Sequence, residues 1–185
     1  MGDLTLITGG ARSGKSAFAE SLATATALPV TYIATLEPLD EEMRDRVARH
    51  RARRPANWTT VEARTDLVVA VATAPEGDAL LLDCLAVWAS NRLLALDDEG
   101  PTPAALATLE DEVSRDLAAF LHAIAARSGP AIVVTNEVGD GLVPPYALGR
   151  AYRDLLGRAN QQVSRAAAYA YLVVAGRPLA LPAPF

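Results

Sequence analysis

The residue types with the clearest chemical meaning lie in one glycine-rich segment near the amino terminus. It reads Gly9-Gly10-Ala11-Arg12-Ser13-Gly14-Lys15-Ser16 and fits the pattern G-x-x-x-x-G-K-[ST]. Glycines let the backbone curl so that several N–H groups point at phosphate oxygens, and a helix starting at Lys15 adds its positive end. Lys15 would reach the β- and γ-phosphates, and the Ser16 hydroxyl would ligate Mg²⁺. The segment predicts a nucleoside triphosphate site, the alternative being a plain glycine turn.

Lys15 is also the only lysine of the chain, which otherwise uses arginine as its cation. A compact ammonium and a planar guanidinium are not interchangeable where a group must fit inside a loop. The lone lysine therefore indicates a position at which arginine will not serve.

A second candidate for the same site is Asp83, which closes the apolar run Leu80-Leu81-Leu82. A carboxylate at the end of a neighbouring strand is placed to hold Mg²⁺ directly or through water. The alternative is that Asp83 only caps the following helix.

A dense basic segment holds the only histidine with an obvious chemical setting, His50. Because Arg46 and Arg54 lie four residues before and after it, a helix would place all three on one face. Neighbouring positive charge favours the neutral imidazole, which could attack phosphorus. The alternative for the basic segment is a solvated helix face, and the alternative for His50 is an ordinary polar helix residue. The only other histidine, His122, is interpreted as structural. The segment's six arginines, opposed only by Asp45, are Arg44, Arg46, Arg49, Arg51, Arg53 and Arg54.

The elements that must position these residues alternate between strand and helix. Apolar runs predict strands at residues 4–8, 30–34, 58–61, 79–82, 131–135 and 169–175. Helices are predicted at 15–26, 40–54, 66–74, 85–96, 104–127 and 146–167. Loops are expected at 97–103 and 136–145, and a Pro-rich tail after 175. Since buried parallel strands are continuous apolar runs, the pattern predicts an α/β fold with a mostly parallel sheet and helices on both faces.

Composition limits the classes of protein that remain. The length of 185 residues fits one globular domain, residues 1–185. The net charge of −5 argues against general nucleic-acid binding, which needs positive charge facing phosphates. The single cysteine and the lack of a secretory signal favour the cytoplasm. No run approaches the roughly 20 apolar residues needed for a membrane span.

Taken together, the motifs resemble one family, the bifunctional adenosylcobinamide kinase/adenosylcobinamide-phosphate guanylyltransferases of cobalamin biosynthesis. The matching blocks run in order over nearly the whole chain. Besides Gly9–Ser16, they are Tyr32-Ile33-Ala34-Thr35, Glu42-Met43, the stretch from Arg46 through His50 to Arg54-Pro55 and Trp58, Asp83-Cys84-Leu85 with Asn91, Thr135-Asn136-Glu137-Val138-Gly139 with Gly141-Leu142-Val143-Pro144, Gly157-Arg158-Ala159-Asn160-Gln161, and Val173-Val174-Ala175-Gly176.

The resemblance implies a RecA-like P-loop NTPase fold and two reactions. Adenosylcobinamide is phosphorylated with a nucleoside triphosphate, ATP or GTP, and GMP is then transferred from GTP, giving adenosylcobinamide-GDP and pyrophosphate. It implies a guanylylated histidine at His50, with Lys15 as the second catalytic residue, Ser16 and Asp83 at Mg²⁺, and assembly as a homo-oligomer, a trimer. Its GTP contacts map onto residues 9–16, Ala34, Thr35, Leu36, Arg51, Ala52, Arg53, Arg54, Glu62 and Asp83.

Three other interpretations stay open at this point. A P-loop small-molecule kinase without guanylyl transfer would carry the same phosphate loop. A nucleotide switch is opposed by the absent guanine motif. A DNA-binding RecA-like ATPase is opposed by the acidic charge and by the lack of a basic, aromatic-studded groove. A structural corrinoid carrier would leave Lys15 without a role. Guanine selection is unexplained, because the Asn-Lys-x-Asp motif is impossible in a chain whose only lysine is Lys15.

Overall fold

A computed structural model describes residues 2–37, 41, 54–96 and 101–184 of the chain. Strands and helices alternate as the apolar pattern predicts. The strands are β1 Leu4–Thr8, β2 Val30–Ala34, β3 Trp58–Glu62, β4 Ala79–Asp83, β5 Ala131–Val134, β6 Tyr169–Val174 and β7 Arg177–Ala180. The helices bounded within these ranges are α1 Lys15–Ala25, α2 Leu67–Thr73, α3 Leu85–Leu94, α4 Pro103–Ala125 and α5 Ala147–Ala166. The helix predicted at 40–54 lies outside the described residues, apart from its two positions 41 and 54.

The seven strands form one sheet in the order β3-β2-β4-β5-β1-β6-β7. All neighbouring pairs are parallel except β6 and β7. Side chains such as Leu80 and Leu82 pack with α2, α3, α4 and α5 on one face, while Leu81 and Ile7 pack with α1 on the other. Each of these fully buried leucines stabilises the fold by about 1.5–3 kcal/mol. The predicted α/β architecture with helices on both faces is confirmed.

The register of the sheet places the strand ends in one row. Glu62 and Asp83 both pair with Ala34, Asp83 also pairs with Val134, and Val134 pairs with Ile7. Because neighbouring strands lie about 4.8 Å apart, Asp83 lies two strands, or about 10 Å, from Ile7. The glycine-rich segment starts two residues after Ile7, so it and both carboxylates share one edge of the sheet.

Helix starts are set by local capping chemistry. The Asp66 side chain accepts a hydrogen bond from Val69 N at 2.9 Å and caps α2, which therefore starts at Leu67, one residue later than predicted. Helix α4 starts one residue earlier than predicted, at Pro103, because Thr102 caps it and proline suits the first helical position. Within the described ranges, no helix is both long and apolar enough to cross a membrane.

The predicted tail after residue 175 is wrong, because residues 177–180 form β7. This strand returns antiparallel to β6 through a two-residue turn, in which Ala175 has φ 49° and Gly176 has φ 77°. Turns of this handedness match the twist of a hairpin and usually carry Asn-Gly or Asp-Gly. With alanine at the first position the usual signal is missing, and Pro178 is tolerated because β7 is an edge strand.

Candidate functional site

The glycine-rich segment joins β1 to α1 in a conformation that needs glycine at two positions. Gly9 has φ 153° and Gly14 has φ 99°. A Cβ on Gly9 would lie 2.5 Å from the Val173 carbonyl oxygen, and one on Gly14 would lie 3.1 Å from Gly176 Cα. Helix α1 starts at Lys15 with no side-chain cap, so its first N–H groups face the loop. This is the arrangement in which a helix end binds an anion.

The side chains of Lys15 and Ser13 in the loop are buried, and so is the hydroxyl oxygen of Thr8 just before it. Lys15 is 9% exposed, and its Nζ donates to the Gly10 carbonyl at 3.0 Å, so the ammonium is folded over the loop. The hydroxyls of Ser13 and Thr8 are buried and have no hydrogen-bond partner. A buried hydroxyl without a partner costs about 1–3 kcal/mol, which phosphate oxygens in the loop would offset. Ser16 lies half-buried in the first turn of α1.

Asp83 holds a hydrogen bond across the sheet instead of capping a helix. Its Oδ2 accepts from the Tyr32 hydroxyl at 2.9 Å. The N-cap of α3 is Cys84, which makes no capping side-chain bond, so the capping alternative for Asp83 is not what the structure has. Burial, together with the Asp83 carboxylate, raises the pKa of Tyr32, which keeps the phenol protonated as the donor.

Arg54 is the one member of the predicted basic segment among the described residues. Its guanidinium carbon lies 3.3 Å from the centre of the Tyr32 ring, and Nη1 donates to Thr60 Oγ1 at 3.4 Å. Its Nε is buried without a partner. The guanidinium of Arg54 is therefore held against Tyr32, the residue that also bonds to Asp83, and its Nε has no hydrogen-bond acceptor. The predicted His50, Arg51, Ala52 and Arg53 lie outside the described residues.

The chain that leaves β2 is fixed by a hydrogen-bond network around Thr35. The Thr35 hydroxyl accepts from Cys84 N and donates to the Cys84 carbonyl, both at 2.9 Å. Asn91 Nδ2 donates to the Thr35 carbonyl at 2.9 Å and to the Arg64 carbonyl at 3.0 Å. These bonds hold the predicted contacts Ala34, Thr35 and Leu36 at the edge that carries Asp83.

Cys84 itself is not set up as a nucleophile. Burial of the thiol, with a further contribution from the Asp83 carboxylate, raises the pKa of Cys84 to about 11. A thiol with such a pKa is almost fully protonated near neutral pH, and the thiolate is the reactive form.

The loop after β5 also touches the glycine-rich segment. Glu137 N donates to the Gly9 carbonyl at 3.1 Å. Arg150 donates to the carbonyls of Pro144 and Pro145, which ties the loop to α5. Leu142 is 97% exposed at its tip. The loop predicted at 136–145 is thus tied at its start to the glycine-rich segment and at its end to α5, and it exposes an apolar side chain between these two points.

Two contacts at this edge were not predicted from the sequence. The motif pattern includes Tyr32 without giving it a role, and the contact of Gly176 with the loop depends on the unpredicted hairpin. The available signal for Tyr32 was a hydroxyl-bearing aromatic residue two positions before the end of a buried strand. Gly176 offered none, because its role depends on a partner more than 160 positions earlier in the sequence.

Comparison with known proteins identifies relatives over nearly the whole chain. The family model described as cobinamide kinase / cobinamide phosphate guanyltransferase matches residues 5–181. The bifunctional adenosylcobalamin biosynthesis protein CobU of Salmonella typhimurium is 40% identical over 176 residues, covering 94% of this chain and 96% of the relative. The bifunctional adenosylcobalamin biosynthesis protein CobP of Pseudomonas aeruginosa is 40% identical over 177 residues, covering 95% of each.

Solved structures resemble the chain in fold alone. The RadB recombinase aligns with a TM-score of 0.50 at 16% identity, over 92% of this chain and 73% of that one. A prototypical ATPase from the type III secretion system of pathogenic bacteria aligns with a TM-score of 0.50 at 15% identity, over 93% of this chain and 51% of that one. The predicted RecA-like P-loop fold is confirmed.

Proposed function

Because the chain belongs to the cobinamide kinase/cobinamide phosphate guanyltransferase family, we propose that both of its reactions use the phosphate loop Gly9–Ser16, with His50 as the guanylyl carrier. The protein is a kinase and guanylyltransferase of cobalamin biosynthesis. The observation that carries the site assignment is a pair of buried hydroxyls without a hydrogen-bond partner, Ser13 in the loop and Thr8 just before it, together with the Lys15 ammonium against the Gly10 carbonyl. Phosphate oxygens would accept hydrogen bonds from such donors.

In the kinase reaction, the aminopropanol hydroxyl of adenosylcobinamide attacks the γ-phosphorus of the bound nucleotide. The bond from the γ-phosphorus to the β–γ bridging oxygen breaks, and the nucleoside diphosphate leaves with that oxygen. Lys15 and the first N–H groups of α1 stabilise the charge on the β- and γ-phosphates. Either ATP or GTP fits this role, because the loop contacts only phosphates.

In the guanylyl reaction, a neutral ring nitrogen of His50 attacks the α-phosphorus of GTP, and pyrophosphate leaves. A phosphate oxygen of adenosylcobinamide phosphate then attacks the same phosphorus, the phosphorus–nitrogen bond breaks, and the imidazole is regenerated. Arg51, Arg53 and Arg54 supply positive charge for the leaving pyrophosphate. The unused Nε donor of Arg54 supports this role. Ala34, Thr35, Leu36, Ala52 and Glu62 complete the proposed GTP contacts.

Ser16 and Asp83 would hold Mg²⁺. The donor chemistry fits, because Mg²⁺ takes a hydroxyl and one or two carboxylates together with substrate phosphates and water. In the described part of the chain, no three His, Cys, Asp or Glu side chains are grouped to hold a metal by themselves. When bound, Mg²⁺ neutralises phosphate charge in both reactions.

The remaining parts of the proposal concern partners and place. The substrate is the corrinoid adenosylcobinamide, nucleic acid is not a partner, the chain assembles as a homotrimer, and it works in the cytoplasm. The net charge of −5 supports the statement that nucleic acid is not a partner, and the single cysteine supports the cytoplasmic location.

The proposal is tested with GTP labelled at the α-phosphate. The protein is incubated with label and Mg²⁺ and then denatured, and the expected result is an acid-labile, alkali-stable label on protein. His50→Ala should abolish it, whereas His122→Ala, which changes the only other histidine, should retain it. Loss of label in both variants, or in neither, would contradict His50 as the carrier.

The same experiment also tests the alternative that the protein is a P-loop kinase without guanylyl transfer. If the wild-type protein phosphorylates adenosylcobinamide and never retains α-label or releases pyrophosphate, the kinase assignment stands alone.

A further inference from the structure

We propose that Tyr32 is a positioning residue with two separate roles, its hydroxyl orienting Asp83 and its ring face holding Arg54. The inference rests on the proposed function, because it takes Asp83 as the Mg²⁺ carboxylate and Arg54 as a nucleotide-binding cation. Neither family membership nor the motif pattern assigns Tyr32 a role. The two roles act on different properties of the site, so they can be separated by experiment.

The hydroxyl role follows from the register of the sheet. Tyr32 pairs with Leu81 of β4, and Asp83 lies two residues further along the same face. The phenol therefore reaches diagonally to Asp83 Oδ2, at 2.9 Å. Since one carboxylate oxygen is occupied by this donor, the other is left for a cation or water at the open end of the strand. A hydrogen bond to a charged acceptor is among the stronger ones, so the orientation is well held.

The ring role concerns the opposite neighbour, β3. Tyr32 also pairs with Thr60, which accepts from Arg54 Nη1 at 3.4 Å. The guanidinium lies over the ring at 3.3 Å, where the negative face of the π-system attracts it. Arg54 keeps its Nε unpartnered in this position. The ring therefore fixes a cation in place without using up that donor.

The hydroxyl role is tested with Tyr32→Phe, which keeps the ring. The affinity for a fluorescent GTP analogue is measured with excess EDTA and over a Mg²⁺ titration. We expect the affinity for the GTP analogue in EDTA to be unchanged. The factor by which Mg²⁺ increases that affinity should be approximately tenfold smaller, as for loss of one hydrogen bond to a charged group. Tyr152→Phe removes another phenol hydroxyl, half-buried and donating to the Ala86 carbonyl at 3.1 Å, and should leave both measurements unchanged.

Asp83→Asn and the double variant complete the cycle. If the hydroxyl acts through Asp83, Tyr32→Phe should add little to Asp83→Asn. A Tyr32→Phe protein with wild-type Mg²⁺ dependence would overturn the hydroxyl role while leaving the proposed function intact. A wild-type protein that binds GTP without any Mg²⁺ gain would instead contradict the proposed metal site.

The ring role is tested with Tyr32→Leu against Arg54→Ala. Both should weaken GTP binding in EDTA by about fivefold or more, because both remove the held guanidinium, whereas Tyr32→Phe should not. Thermal unfolding of each variant shows that the fold persists. Equal EDTA affinities for the Phe and Leu variants would overturn the ring role.

Discussion

The backbone amide of Gly176 donates to the carbonyl of Ser13 at 2.7 Å, so the turn between β6 and β7 is bonded directly to the phosphate loop. The same turn approaches Gly14 closely enough that a Cβ there would lie 3.1 Å from Gly176 Cα. The loop is therefore shaped from two sides, by its own glycines and by a hairpin from the other end of the sequence.

Because of this contact, Gly14→Ala should reduce stability and GTP affinity by more than the strain of a positive φ alone would. We expect the variant to lose about 1–2 kcal/mol of unfolding free energy and at least about tenfold in GTP affinity. Gly77→Ala is the matched control, because Gly77 also has a positive φ, 93°, but a Cβ there meets nothing within 4 Å. Denaturant unfolding and GTP titration separate the two effects. Equal GTP affinities for both variants would contradict the role of the turn.

Lys15→Arg should slow both reactions strongly although the charge is kept. The ammonium fits within 3.0 Å of the Gly10 carbonyl inside a closed loop, where a planar guanidinium lacks room. We expect each rate to fall by at least about 100-fold with a near-unchanged melting temperature. Arg115→Lys, an exposed exchange of the same two residue types on α4, should change neither rate. A Lys15→Arg enzyme with more than a tenth of wild-type activity would refute the steric argument.

Asn91→Ala should affect nucleotide binding from outside the site. The amide bridges the carbonyls of Thr35 and Arg64, and its loss leaves both without this donor. We expect a loss of about 1–3 kcal/mol in unfolding free energy and a raised KM for GTP, with kcat less affected. Gln162→Ala removes an exposed amide that donates to the Ser114 carbonyl and should leave KM unchanged. An unaltered KM in Asn91→Ala would show that the bridge is structural only.

Cys84 should resist alkylation in the folded protein. Burial raises its pKa from 9.0 to about 11, so the thiolate fraction near pH 8 is about 100-fold lower than for an ordinary thiol. Iodoacetamide labelling should be slow below about pH 10, and become fast once the chain is unfolded in urea. The same raised pKa makes the free energy of unfolding depend on pH. The contribution of Cys84 to the stability of the folded protein is fully present below about pH 9 and is lost as the pH rises towards 11. Fast labelling of the native protein near pH 8 would contradict this.

The parts of the site that could be predicted from the sequence are those with local signals. The phosphate loop is one contiguous segment, and Asp83 follows an apolar run, so the sequence alone predicts both as candidates. The alternative roles of Asp83 could not be separated in this way, because the choice depends on Tyr32, whose approach is set by the register between β2 and β4. Strand β7 was missed because its turn carries Ala175 at a positive φ, where the usual asparagine would have signalled a hairpin. The role of His50 stays a prediction.

Strand β1, which leads into the phosphate loop, lies between two strands made much later on the ribosome. Leu4 pairs with Ala131 and Thr5 pairs with Tyr169, so the two hydrogen-bonded neighbours of β1 are absent until the ribosome has passed residues 131 and 169. Non-local pairing of this kind delays folding. During synthesis, the first strand of the sheet therefore waits for β5 and β6 before the bend that follows it can take its final shape.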